Sequence, residues 1–166
     1  WYAVMLLIIV FLVSAMMFAI ATSVLNENIK ERLVNVVSSN VDEIEFRSTL
    51  QNSEQEEGDQ FLSYKDGWLE IDDDFCDVFE GISTALYDED GTLLYGNAPI
   101  RISNSQNLTF LSVRKISFRG ENYYVYEKRL NAPGLEKLWL RGVVSQNENI
   151  NILYNGVRMT FWFLPA

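Results

Sequence analysis

Histidine is absent from the 166-residue chain, and cysteine occurs once, as Cys76. The chain therefore has no imidazole base, no histidine metal ligand and no histidine that accepts a phosphoryl group. A single cysteine cannot form an internal disulfide and is typical of a small buried apolar side chain. The sequence also has no Ser/His/Asp set and no phosphate loop. We expect a non-catalytic chain with no cofactor.

Charge is missing from the first part of the chain, because Trp1 to Asn26 contains no Asp, Glu, Lys or Arg. All 13 basic and 23 acidic residues lie between Glu27 and Arg158, so the net charge of -10 belongs to that segment. Nucleic-acid binding requires clustered basic residues that displace phosphate counterions. An acidic segment of this kind excludes nucleic acid as a partner.

The uncharged start predicts a membrane-spanning helix over residues 1–23. As a helix this segment is about 34 Å long, whereas the hydrocarbon core of a bilayer is about 30 Å thick. Trp1 and Tyr2 would lie at one interface as aromatic anchors. A cleaved signal peptide is the alternative, because Ala19-Ile20-Ala21 fits a cleavage pattern, although the apolar run is long and no charged residue precedes it.

An apolar segment at the other end, residues 159–166, predicts the start of a second membrane helix. A short hydrophobic segment that docks on the protein is the alternative. Two membrane segments would enclose a domain at 24–158, and its long acidic segment 27–158 is expected outside the cytoplasm.

One helix face is apolar between the first membrane segment and the acidic loop that we expect at Gln51 to Gln60. Its residues recur at steps of three and four, and no Gly or Pro separates them from the membrane segment, so one continuous helix is predicted. The face either packs on the domain core or forms a homodimer seam with a second copy. It consists of Leu25, Ile29, Leu33, Val36, Val37, Val41 and Ile44.

Strand patterns begin after Gly81 and predict two hairpins and a fifth strand. The predicted strands are Ile82 to Tyr87, Thr92 to Tyr95, Leu111 to Phe118, Tyr123 to Leu130 and Lys137 to Val144.

Turn and capping residues separate these strands. Gly91 supplies the positive φ that a type I turn with a G1 bulge needs. Arg119 to Asn122 is the expected second turn. Ser145 followed by Glu148 is a capping box that predicts a C-terminal helix aimed at the membrane.

This order, together with the first hairpin Ala85-Leu86-Tyr87-Asp88-Glu89-Asp90-Gly91-Thr92-Leu93-Leu94-Tyr95, resembles the extracytoplasmic PAS-like sensing domains of bacterial sensor histidine kinases. The resemblance implies an α+β fold: a five-stranded antiparallel sheet between a long N-terminal helix and a C-terminal helix, each continuous with a membrane helix. It also implies a two-component receptor in which these helices carry a signal from an unknown stimulus to a cytoplasmic kinase that the chain does not contain. The same module could serve a chemotaxis receptor or a diguanylate cyclase. A membrane-anchored structural or assembly protein is the alternative from another class.

Two groups of residues are candidates for binding. The acidic residues Asp72, Asp73, Asp74 and Asp77 could hold a hard cation, but their spacing matches no EF-hand, and a solvated acidic face is the main interpretation. On the later strands, Arg114 and Arg141 with Tyr124 and Tyr126 could bind a small carboxylate or another anion. Cross-strand pairs and salt bridges are the alternative for these four residues.

Overall fold

The structure is a computed structural model and describes residues 1–49, 60–64, 67–71, 75, 79, 81–100 and 108–147. Within these residues one long helix precedes seven strands. The helix is α1 (Tyr2–Thr49), and the strands are β1 (Gln60–Tyr64), β2 (Gly67–Ile71), β3 (Ile82–Tyr87), β4 (Leu93–Gly96), β5 (Arg114–Phe118), β6 (Glu121–Arg129) and β7 (Trp139–Ser145).

Helix α1 is continuous, as the sequence predicts, because no Gly or Pro lies within it. Every side chain from Trp1 to Ala21 is exposed although almost all of them are apolar. By length and composition this helix is able to cross a membrane. An exposed apolar surface of this extent is unfavourable in water, which fits a lipid environment for the first half of the helix.

The second half of α1 lies across the sheet and buries five of the seven residues of the predicted apolar stripe, whereas Leu25 and Val36 are partly exposed. Ile29, Leu33, Val37, Val41 and Ile44 are 2% exposed or less. They contact sheet residues that include Leu86, Leu140 and Val144 in the main hydrophobic core. The stripe is therefore core within one chain. A homodimer seam formed by these same residues would compete with this packing.

The five strands from β3 to β7 form the predicted antiparallel sheet, in the order β4-β3-β7-β6-β5. The last of the described strands, β7, is thus the central one. It lies directly against α1 at Gly142, where an added Cβ would overlap Val37 Cγ2 and lie 2.8 Å from Leu33 Cδ1. Glycine is needed there because the helix leaves no room for a side chain.

Both hairpin turns of the sheet use positive φ angles. Gly91 has φ 81°, and its N–H donates to the Asp88 carbonyl at 3.1 Å, which confirms the predicted turn. The second turn is shorter than predicted. It contains only Arg119 (φ 52°) and Gly120 (φ 84°), because two successive positive φ values close a hairpin in two residues.

The structure corrects the predicted order of elements in one place. β1 and β2 form an additional antiparallel hairpin before the sheet, and Leu69 and Ile71 are buried in the main core. Gln60, expected in a loop, begins β1. The predicted fold class, α+β with a five-stranded antiparallel sheet, is confirmed in this coarser form.

Some predicted elements lie outside the described residues. They are the acidic loop before Gln60, the second membrane segment and most of the C-terminal helix. At the predicted start of that helix the Asn147 N–H donates to Ser145 Oγ at 3.2 Å, which is the contact that an N-cap serine makes.

Candidate functional site

The sheet has two faces, and the face turned away from α1 carries the buried charges. We call it the far face. Because side chains alternate along a strand, residues that flank the core positions of β3, β6 and β7 lie on it. Its buried apolar members are Ala85, Tyr87, Val125, Trp139 and Val143, with Ile100 beside them.

Three charged side chains meet on the far face and form what we call the Arg-Glu-Arg cluster: Arg114, Glu127 and Arg141. Arg114 Nη2 donates to Glu127 Oε1 at 2.9 Å and to Oε2 at 2.8 Å. Arg141 Nε donates to Glu127 Oε1 at 2.8 Å. The Glu127 and Arg141 side chains are 0% and 2% exposed. A carboxylate this deeply buried is stable only because it is paired.

Strand register explains why these residues meet. Glu127 on β6 is the direct cross-strand partner of Arg141 on β7. Arg114 begins the edge strand β5 opposite Val125, two residues before Glu127. Arg114 and Glu127 are therefore diagonal neighbours, a separation that long side chains can bridge.

Aromatic rings surround one end of the cluster. The Tyr87 and Trp139 rings are stacked, with centroids 4.5 Å apart and planes at 12°. Arg141 Cζ lies 5.1 Å from the Tyr87 centroid and 4.9 Å from the Trp139 centroid, within cation-π distance. Trp139 Nε1 donates to the Asp88 carbonyl at 2.7 Å. The rings and this hydrogen bond fix the position of the Arg141 guanidinium.

Phe110 and Arg129 extend the aromatic group. The Phe110 ring meets the Trp139 ring edge-on at 6.2 Å, and Arg129 Cζ lies 4.4 Å from the Phe110 centroid. The neighbouring Leu111 has φ 63°, which is uncommon for a bulky residue, and its N–H donates to the Glu127 carbonyl at 3.0 Å.

Burial raises the pKa of the Tyr87 hydroxyl above its ordinary value of 10.0, and the positive charge of Arg141 opposes that rise only in part. Tyr87 is therefore a neutral hydroxyl at physiological pH.

The structure brings together two of the four predicted site residues and separates the other two. Arg114 and Arg141 share the far face. Tyr124 and Tyr126 lie on the opposite face, in the main core beside α1, and Lys30 Nζ lies 5.6 Å from the Tyr124 ring centroid. Side chains alternate between the two faces along β6, and Tyr124 and Tyr126 are an odd number of residues from Glu127, so they lie on the opposite face of the sheet.

Sequence reasoning missed Glu127, Tyr87 and Phe110. A signal for Glu127 was present, since it is an acidic residue in an apolar and aromatic strand and has the same parity as Val125. Its partner could be found only with the register of β6 against β7, which depends on tertiary contacts.

The acidic candidates Asp72, Asp73, Asp74 and Asp77 lie outside the described residues, as does Cys76. Within the described part of the chain, no three Cys, Asp or Glu side chains are grouped to hold a metal ion. Asp88 serves the hairpin turn, where its Oδ1 accepts from the Thr92 N–H at 2.7 Å.

The chemistry available to the cluster is recognition of an anion by two guanidinium groups. Both groups bind the same carboxylate, so a ligand anion would have to compete with Glu127. Comparison with known proteins gave no significant match to a family model, to a curated protein or to a solved structure.

Proposed function

We propose that the chain is the extracytoplasmic sensing region of a bacterial membrane receptor, most simply a two-component sensor histidine kinase. Its role is to pass a change in the domain to a cytoplasmic kinase through the membrane helices. The chain itself is non-catalytic. It acts as a homodimer, because the exposed apolar half of α1 remains available to contact a second copy of the chain.

The observation that carries this proposal is the continuity of α1. One helix begins with an exposed apolar segment and continues, without interruption, into the core beneath the sheet. Helices transmit displacement along their axis because each turn is hydrogen-bonded to the next. A helix that served only as an anchor would not need five core residues in its second half.

The path of β7 supports the same proposal. Gly142 lies opposite Leu33 and Val37 of α1, and Gln146 Nε2 donates to Asn26 Oδ1 at 3.4 Å. The strand therefore runs antiparallel to α1 and ends beside the residue at which the apolar segment of α1 gives way to polar sequence. The chain after Ser145 would start its way back to the membrane from this point.

The proposed mechanism is a shift between two positions of α1 relative to β7. β7 has Arg141 on its far face, while Gly142, the next residue, contacts α1. A change in the Arg-Glu-Arg cluster would move the strand that holds α1. A stimulus can drive such a shift only if it binds one of the two states more tightly.

Topology is the first test. Ser117 is exposed on β5, so a Ser117→Cys variant in a Cys76→Ser background offers one accessible thiol. We expect a membrane-impermeant maleimide to label this thiol in intact spheroplasts. A thiol placed in the cytoplasmic region of the parent protein is the matched control, and it should react only after lysis. Labelling of Ser117→Cys only after lysis would place the domain in the cytoplasm and refute the proposal.

A further inference from the structure

A half-enclosed cavity of about 260 Å³ lies between α1 and β3, on the side of the sheet opposite the Arg-Glu-Arg cluster. Its apolar walls are the side chains of Val36, Ile82, Phe75 and Phe79. The Phe75 ring is itself held by the Tyr95 ring, with centroids 5.6 Å apart. The cavity is thus a preformed space bounded by two phenyl rings and two branched aliphatic side chains.

Polar groups enter the cavity from α1 and β3. Asn40 Nδ2 donates to Thr84 Oγ1 at 3.3 Å, and Thr84 Oγ1 donates to the Phe75 carbonyl at 3.2 Å. The Thr84 hydroxyl is therefore engaged as donor and acceptor. Asn40 makes this one side-chain hydrogen bond within the described part of the chain, so its amide oxygen and its second N–H are available to a ligand.

Asn40 is also unexpected at this point of α1. Asparagine is a poor helix former in a helix interior, and Val37, Val41 and Ile44 around it are core residues. A half-buried amide beside a cavity is explained if it binds a polar group there. The described lining residues carry no charge, and Ser39 adds a hydroxyl at the mouth.

We propose that this cavity binds a small, uncharged aromatic molecule with one hydrogen-bonding group, its ring between Phe75 and Phe79 and its polar group on Asn40. A cavity of about 150 Å³ holds benzene, so the present one holds roughly ten non-hydrogen atoms. The inference goes beyond the proposed function, because binding here does not require the chain to signal. A ligand at this site would contact α1 and β3 at once.

Indole is a suitable probe, because it has nine non-hydrogen atoms, no charge and one N–H donor. Its binding to the full chain in detergent micelles can be measured by titration calorimetry. Indene, which lacks the N–H group, should bind about fivefold more weakly, since one hydrogen bond is lost. Benzoate, of the same size but charged, should bind at least about tenfold more weakly, because its carboxylate would be desolvated without a cationic partner.

Two tryptophan substitutions on the outer side of α1 provide a matched pair. Ser39 lines the cavity and Asn35, one turn earlier, does not, and both are exposed. Long helical side chains lean towards the N-terminus, so Ser39→Trp would cover the space beside Val36. We expect Ser39→Trp to abolish indole binding and Asn35→Trp to leave it unchanged.

Nuclear Overhauser contacts from indole to the Val36 methyl groups of the unsubstituted chain give a second measurement that does not depend on how a variant folds. Their presence, together with loss of binding in Ser39→Trp, supports the site. Equal binding by Ser39→Trp and Asn35→Trp, absence of these contacts, or no binding by the unsubstituted chain would overturn the proposal. Failure of the receptor to signal would contradict the proposed function and would not affect the proposed binding site.

Discussion

At the scale of single residues, the far face depends on a carboxylate that water does not reach. Glu127 has no exposed side-chain surface and is bound by Arg114 and Arg141 at 2.7 to 2.9 Å. Such an arrangement is stable as a set and unstable when one member is removed, because the desolvated charges that remain have lost their partner.

Glu127→Gln should therefore destabilise the domain strongly although it preserves the shape of the side chain. We expect a loss of about 3–5 kcal/mol in the free energy of unfolding. Urea unfolding of the full chain in detergent, followed by circular dichroism, measures it. Glu89→Gln is the control, because it removes the exposed ion pair between Glu89 and Lys137 and should have a much smaller effect. Equal losses in the two variants would contradict this account of the cluster.

Gly142→Ala tests the close contact between β7 and α1. The added methyl group would overlap Val37 Cγ2, so one of the two elements has to move. Overpacking of this kind costs about 1–3 kcal/mol of stability. Val37→Ala should relieve it, so we expect the double variant to lose less stability than the sum of the two single variants. Strictly additive losses, measured by urea unfolding, would show that the contact is not the cause.

The raised pKa of Tyr87 gives the stability a dependence on alkaline pH. Above pH 10.0, the ordinary tyrosine value, the unfolded chain loses this proton while the folded chain keeps it. The stability contributed by the neutral hydroxyl is present below that pH and is lost as the pH rises through the folded pKa.

Unfolding of the unsubstituted chain and of Tyr87→Phe should therefore be compared between about pH 8 and about pH 11. We expect the difference in their unfolding free energies to be constant below pH 10 and to change above it in favour of Tyr87→Phe. A constant difference over the whole range would mean that the hydroxyl titrates alike in both states.

At the scale of elements, periodicity predicts α1 well, because a helix that buries one face displays that face at fixed spacing in the sequence. This spacing predicts the apolar stripe from Leu25 to Ile44, of which the part from Ile29 onward supplies the buried residues. Sequence alone could not choose between core and dimer seam, since both bury the same face. The contacts with Leu140 and Val144 decide in favour of the core.

The strands of the sheet were predicted to within about three residues, a usual error for element ends. The β1–β2 hairpin is not predicted, although the dipeptide Asp66-Gly67 is typical of turns. The candidate site was only half predicted for a different reason. Residue type alone indicates Arg114 and Arg141. The role of Glu127 follows from the register of β6 against β7, and the position of Tyr124 and Tyr126 on the opposite face follows from the alternation of side chains along β6.

At the scale of the whole molecule, β7 links the far face of the sheet, the buried half of α1 and the point at which the apolar segment of α1 ends. Its residues alternate between the far face and α1, and Gln146, the residue that follows the strand, lies beside Asn26. α1 extends from the same region into the apolar segment. A displacement that starts in the sheet therefore has a short, ordered path to the exposed apolar half of the helix, and its transmission depends on whether α1 stays helical along that path.

That dependence can be tested without knowing the stimulus, because Gly142→Ala supplies a displacement of its own. In the parent histidine kinase that we propose, reconstituted in nanodiscs, we expect Gly142→Ala to change the basal rate of autophosphorylation. Seven residues are then inserted after Ser23, either as alanines or as a Gly-Ser sequence. Seven helical residues rotate the chain by about 20° less than two full turns. The alanine insertion therefore keeps the helix continuous and nearly preserves the rotational position of the domain relative to the apolar segment. The Gly-Ser insertion replaces that stretch with a flexible coil.

The effect of Gly142→Ala should persist in the alanine background and disappear in the Gly-Ser background, because a coil does not transmit displacement. Urea unfolding of the domain should be the same in both backgrounds, which separates coupling from stability. If Gly142→Ala acts equally in the two backgrounds, α1 is only an anchor, and the signal must pass through the chain that follows Ser145. If it has no effect in any background, the contact between β7 and α1 is structural, and the proposed mechanism is wrong.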